Sequence, residues 1–197
     1  QDGAKLDAGV RASYLFNTTI AGIERADACL LIGTNPRREA AVLNARLRKR
    51  HLAGGFSIGL IGETADLTYA YGHLGAGPET LHELVAGRQP FADVLDKAET
   101  PMLVLGMGAL ARADGDAVLF WARTLAEKYG LVDPSRAWNG FNVLHTAAAR
   151  VGGLDLGFVP AAEGRDTEAI LESAEKGEIE CVYLLGADEI DTRRLGE

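Results

Sequence analysis

Ala28-Cys29-Leu30-Leu31-Ile32-Gly33-Thr34-Asn35-Pro36-Arg37 is the stretch whose reading decides the fold. An unbroken apolar run closed by a glycine predicts a strand buried on both faces, as in a parallel sheet. Gly33 allows a sharp turn, Asn35 is placed to cap a helix, and Pro36 suits the first helical position. Arg37 to Arg50 is helical in composition, with Leu43 and Leu47 one turn apart. Strand, tight turn and helix opening together make a nucleotide-binding edge, or the relic of one.

Outward from that stretch the same alternation continues. Toward the N-terminus, Asn17 or Thr18 is expected to cap a short helix through Arg25, behind a small, polar arm. Downstream, Phe56–Ile61 reads as a second strand ending at Gly62. Ala70–Pro78, with Gly72, Gly75, Gly77 and Pro78, reads as a loop. Glu79–Ala86 and Phe91–Ala98 read as short helices and Pro101–Leu105 as a third strand. A long helix follows from Asp114 or Asp116 to Gly130, its apolar stripe formed by Val118, Ala122, Leu125 and Tyr129. Val143–Val151 is expected to be a further helix stopped by Gly152-Gly153, and Asp166 or Thr167 to cap another through Lys176. Glu180–Leu185 then reads as a buried strand opening into Gly186-Ala187-Asp188. Strands alternating with helices predict an α/β fold with a mostly parallel sheet flanked by helices. Leu30-Leu31-Ile32-Gly33 and Tyr183-Leu184-Leu185-Gly186 resemble each other, which implies two related halves. The expected organisation is a linker or arm over 1–16, a first α/β half over 17–110, a helical connection over 111–153, and the truncated start of a second half over 154–197.

Composition narrows the function classes. A chain of 197 residues can bury a core, and a formal net charge of −8 disfavours free nucleic acid as a partner. No apolar run approaches the roughly 20 residues that span a bilayer, so direct membrane insertion is not expected. Cys29 and Cys181 both sit in apolar strand patterns and read as buried free thiols, outside any C-x-x-C pair. The chain opens Gln1-Asp2-Gly3 and closes Leu195-Gly196-Glu197. Neither looks like a natural terminus, so a piece of something longer is expected.

The candidate chemistry lies at the strand ends. Gly33-Thr34-Asn35-Pro36, Gly106-Met107-Gly108 and Gly186-Ala187-Asp188 are either ligand-binding loops or simple turns. None is a Gly-x-Gly-x-x-Gly or a P-loop, and the helix after Gly108 is expected only several residues later. Glu63 stands where a ribose-binding carboxylate would, or is an exposed loop acid. Arg37, Arg38, Arg46, Arg48, Lys49 and Arg50 form either a solvated helix face or a docking surface for an acidic partner. On the docking reading, glutamine at 46, 48 and 50 weakens assembly and leaves melting unchanged. Histidines 51, 73, 82 and 145 are scattered, and no hydrolase spacing or carboxylate pair is present, so catalysis by this chain alone is not expected.

A wider set of strings carries a resemblance. Asn17-Thr18-Thr19-Ile20-Ala21-Gly22-Ile23-Glu24, Leu31-Ile32-Gly33-Thr34-Asn35-Pro36-Arg37 and Asn44-Ala45-Arg46-Leu47-Arg48-Lys49 resemble the large iron–sulfur subunit of respiratory complex I. Asp66-Leu67-Thr68-Tyr69, Gly72-His73-Leu74-Gly75, Leu154-Asp155-Leu156-Gly157 and Leu184-Leu185-Gly186-Ala187-Asp188 extend it over nearly the whole chain. The resemblance implies the C-terminal region of that subunit, with two Rossmann-like halves as in molybdopterin oxidoreductases. It implies vestigial cofactor loops at Gly33, Asn35, Pro36, Gly106, Gly108, Gly186 and Asp188. Where pterin-binding relatives often carry Asp-Pro-Arg after the second strand, this chain has Gly62-Glu63-Thr64. Iron–sulfur clusters are expected only in regions absent here, since a cluster takes four thiolates and this chain has two cysteines. The implied role is scaffolding within the peripheral arm of NADH:quinone oxidoreductase, a translocase. The implied partners are its other subunits, at the cytoplasmic face of a bacterial inner membrane or the matrix side in mitochondria. The alternative is a working molybdopterin-dinucleotide-binding module of an oxidoreductase.

Overall fold

Every residue of β1 (Ala28–Ile32) is buried, because it pairs in parallel on both sides and is covered on both faces. One neighbour is β2 (Ser57–Ile61), with Ala28 beside Ser57; the other is β4 (Pro101–Gly106), with Ala28 beside Pro101. β3 (Gly72–Gly75) extends the sheet beyond β2 and β7 (Phe141–Leu144) beyond β4, giving the all-parallel order β3-β2-β1-β4-β7. A separate two-stranded ribbon, β5 (Val132–Asp133) with β6 (Trp138–Asn139), is antiparallel. The computed structural model describes residues 3–160, 162–187, 190, 191 and 193.

The two-residue period of the strands divides the core between two faces. Leu30, Ile32, Leu103 and Leu105 join one apolar layer with α3 (Pro78–Val85), α4 (Phe91–Lys97) and α6 (Gly115–Lys128). Cys29, Leu31, Met102 and Val104 join the other with Leu43 and Leu47 of α2 (Ala41–Leu52), and with Ile23 and Leu67. The stripe Val118, Ala122, Leu125 and Tyr129 of α6 is buried as the periodicity predicts. Asp166 caps α8 (Thr167–Glu175), accepting from the Ala169 N–H at 2.9 Å.

Several expectations are corrected. Residues 72–75 are an edge strand and not loop; Gly62 N–H donates to Gly75 carbonyl at 2.8 Å, and glycine is tolerated at an edge because half its backbone needs no ladder partner. The helix expected over Arg37–Arg50 is two: α1 (Pro36–Glu39) closes at Ala40, whose non-helical backbone (φ −152°, ψ 70°) separates it from α2. α5 (Met107–Leu110) begins directly after Gly106, not several residues later. Residues 143 and 144, expected to be helical, belong to β7. Asn142 makes that strand possible: fully buried, it donates to Leu103 carbonyl, Gly140 carbonyl and Thr18 Oγ1, and accepts from Thr18 N–H. Gly152 and Gly153 lie inside α7 (Arg150–Asp155) and do not stop it.

The N-terminal arm is also more structured than a linker. Phe16 bridges Asn142 antiparallel, Val143 N–H donates to Leu15 carbonyl, and Tyr14 is buried, so residues 14–18 cover the outer edge of β7. Asn17 and Thr18 are spent on that edge and do not cap the 3₁₀ turn Ala21–Arg25; Thr19 Oγ1 accepts from Gly22 N–H instead. The expected strand Glu180–Leu185 is absent. Cys181 is exposed, and Tyr183 and Leu185 are 84% and 83% exposed. The described residues place no strand beside it, so its amides have no ladder to join. Among the described residues no helix is long and apolar enough to cross a membrane.

Candidate functional site

The strand order changes direction between β1 and β4, and α/β sheets bind ligands outside the carboxyl ends of strands at such a point. A cleft of about 880 Å³ opens there, lined by Gly33 and Asn35 after β1, Gly62 and Glu63 after β2, and Gly108 and Arg112 after β4. Two glycines fix its floor. Gly33 has φ +55°, and a Cβ on it would stand 2.5 Å from the Ala109 Cβ. A Cβ on Gly106 would stand 2.2 Å from the Gly33 carbonyl oxygen. The loops after β1 and β4 therefore lie against each other, and only glycine permits the approach.

Asn35 does not cap α1; its Oδ1 is buried without a hydrogen-bond partner among the described residues. Glu39 instead folds back on the turn, its carboxylate accepting from Thr34 Oγ1 at 2.7 Å and from Asn35 N–H at 2.6 Å, while the Asn35 carbonyl accepts from the Arg38 and Glu39 N–H groups. Pro36 is buried at the first position of α1. Arg37 reaches across the cleft wall to the Asp66 carbonyl and carboxylate. The Thr68 N–H and then Arg37 hold the Asp66 carboxyl below its ordinary range. Arg112 forms a two-point pair with Asp114, which lowers the Asp114 carboxyl likewise. Arg38 makes no ion pair with a described residue.

Toward the pyrophosphate of a dinucleotide cofactor the lining is mixed, with Arg38 open to an anion and several groups set against one. The hydroxyl and amide that a phosphate oxygen would use are held by Glu39, two of the cleft's arginines are neutralised by neighbouring carboxylates, and Glu63 adds another acid at the rim. Among the described residues no three His, Cys, Asp or Glu side chains are grouped to hold a metal ion.

Of the loop residues singled out in the sequence, Gly33, Asn35, Pro36, Gly106 and Gly108 do converge at this edge. Gly186 is exposed in an irregular segment away from any described strand, and Asp188 lies outside the described residues. Glu39, Asp66 and Arg112 belong to the cleft although sequence reasoning does not single them out. Glu39 lies four residues after Asn35 and five after Thr34, outside the three-residue spacing of a capping box, so no standard capping pattern announces it.

The basic helix is more committed internally than a docking face requires. Arg46 and Lys49 both pair with Glu24, and Arg48 donates to the Thr68 carbonyl. Arg50 donates to the carbonyls of Ala26, Gly54 and Gly55, with its guanidinium over the Phe56 ring. Glutamine at position 50 would give up these bonds, so a lower melting temperature is expected there, where the docking reading expects unchanged melting.

A family profile describing molybdopterin oxidoreductases matches residues 1–196. The iron-sulfur protein 1 of mitochondrial NADH dehydrogenase (ubiquinone) from Solanum tuberosum is 42% identical over 194 residues, covering 98% of this chain and 25% of that protein. The NADH-ubiquinone oxidoreductase 75 kDa subunit of Reclinomonas americana is 46% identical over 184 residues, covering 93% and 26%. A bacterial relative, an NADH-quinone oxidoreductase subunit of Rickettsia bellii, is 42% identical over 191 residues, covering 97% and 26%. The chain spans about a quarter of the length of the curated relatives it matches.

Proposed function

The chain belongs to the molybdopterin oxidoreductase family, and from that premise we propose that it is a cofactor-free, structural part of the iron–sulfur subunit of NADH:quinone oxidoreductase. Its partners are other subunits of that complex, and its place is the peripheral arm, on the cytoplasmic side in a bacterium and the matrix side in a mitochondrion. It carries no cluster, those belonging to cysteine-rich regions elsewhere in the subunit. The glycine-rich loops Gly33–Pro36 and Gly106–Gly108 keep the family's shape without its ligand.

The observation that carries this reading is the Glu39 carboxylate on Thr34 Oγ1 and Asn35 N–H. A fixed anion from the chain itself sits in a strand-end loop that the resemblance assigns to the cofactor, and like charge there repels a phosphate. A sheet buried on both faces then serves as a rigid body on which neighbouring regions pack.

The test is direct. The chain is purified from a host that makes molybdopterin, denatured, oxidised and examined for pterin fluorescence and visible absorption. Neither signal is expected. A pterin at near one per chain overturns the proposal in favour of a working cofactor module, the reading that the size of the cleft favours.

A further inference from the structure

The solvent side of α6 departs from the polar face expected of a helix that already buries its apolar stripe. Phe120 stands opposite Val118, Ala122 and Leu125 and is 60% exposed. It is not a loose side chain. Its ring meets Trp121 edge-on at 5.0 Å, and Trp121 in turn lies 4.9 Å from the His82 ring on α3. Trp121 is half-buried against the core, so it anchors the exposed ring from below. An aromatic held this way loses little freedom on contact, which is the property of an interface anchor.

Three carboxylates stand on the same two helices. Asp116 and Glu127 are four residues before and seven after Phe120, on the same stripe of α6, and Glu79 precedes His82 by three on α3. All three are exposed, and none is ion-paired with a described residue. Of the cations nearby, Lys5 lies beside Gly115 at the start of α6 with no ion pair among the described residues, and three others are engaged. Arg123 pairs with Asp7, the Lys128 ammonium donates to the Val85 carbonyl, and Arg112, which also feels Glu79, pairs with Asp114. An exposed ring that shares its helix stripe with unpaired carboxylates attracts a cation and repels an acid.

We propose that Phe120, Trp121 and His82, rimmed by Glu79, Asp116 and Glu127, form a docking surface for an arginine- or lysine-rich segment of a neighbouring subunit, with a cation seated on the Phe120 ring. The proposal rests on the reading of the chain as part of a larger complex and names the chemistry of one contact. Arginine suits it best, since its planar guanidinium stacks on an aromatic face while its edge reaches a carboxylate.

The experiment uses the full-length subunit in its assembled complex, with the photoreactive p-benzoylphenylalanine in place of Phe120. After irradiation, a cross-link is expected to a second subunit, at a site with arginine or lysine within one helical turn. Reversing the rim with Glu79→Lys, Asp116→Lys and Glu127→Lys is expected to cut the yield about tenfold. A cross-link to an acidic segment, or a yield indifferent to the reversed rim, overturns the proposal. So does silence at position 120 in a complex that a native gel shows to contain the subunit. A subunit that never enters the complex overturns the parent reading, and this one with it.

Discussion

Leu30-Leu31-Ile32-Gly33 and Tyr183-Leu184-Leu185-Gly186 are near-copies in composition, and both end on a left-handed glycine, at φ +55° and +61°. The first is the centre of the sheet, with every strand residue buried. The second is exposed and outside any described strand, and Cys181 beside it is exposed while Cys29 beside the first is fully buried. The turn is a property of the glycine and its immediate neighbours. The strand is a property of what lies on either side of it, since backbone N–H and C=O groups leave water only when a ladder replaces the bonds they lose.

The widest contrast should be chemical. Burial pushes the Cys29 thiol far above its ordinary pKa, so a thiol reagent reaches it only on unfolding. Native titration is expected to show one reactive thiol, Cys181, modified roughly a thousandfold faster or more than Cys29. Two fast thiols would break the contrast between the segments. Next in size is packing. Leu31→Ala removes a fully buried side chain and is expected to cost about 3 kcal/mol in urea unfolding. Leu185→Ala, on a residue 83% exposed, should stay within about 0.5 kcal/mol. Equal losses would mean that the second segment is packed in solution.

A smaller effect tests the turn after β1. Glu39→Ala leaves the Thr34 hydroxyl and the Asn35 amide without their acceptor and should cost about 1 kcal/mol. The least effect concerns how the region after β7 is tethered to the N-terminal arm. Asp155 accepts from Arg11 Nε and Nη2 and from Tyr14 Oη, and Arg11 and then Tyr14 hold its carboxyl below the ordinary range. Because the folded pKa is the lower one, this tether stabilises above the unfolded value near pH 4 and is lost as pH falls through the folded value. Proteolysis after residue 145 should therefore quicken on acidification, and Asp155→Asn should abolish that pH dependence while remaining loosened at neutral pH.

The site is half legible for the same reason as the fold. Gly33, Asn35, Pro36, Gly106 and Gly108 stand out because glycine and proline act on their own dihedrals, and the cleft does form between their loops. The roles within it do not follow. Asn35 is the natural cap by residue type, yet its side chain accepts from no helical N–H, and Glu39 accepts from the Asn35 amide itself. Asp66 and Arg112 enter the cleft from 29 and 75 residues beyond Arg37, and no local pattern announces a meeting across that span. β7 escapes a sequence reading because Asn142, a poor strand residue by composition, is satisfied only by Thr18 and the backbone at Leu103 and Gly140.

By itself the sequence determined the alternation of apolar runs and amphipathic helices, hence the parallel α/β class, and the places where the chain turns. Those are short-range consequences of side-chain period and of glycine and proline stereochemistry. Only the tertiary structure decided which apolar run became a strand, which carboxylate filled the strand-end loop, and which aromatic stayed in water. Each of those outcomes rests on pairing, burial or charge contributed by residues distant along the chain, and the free energy of such contacts exists only once the partners have met.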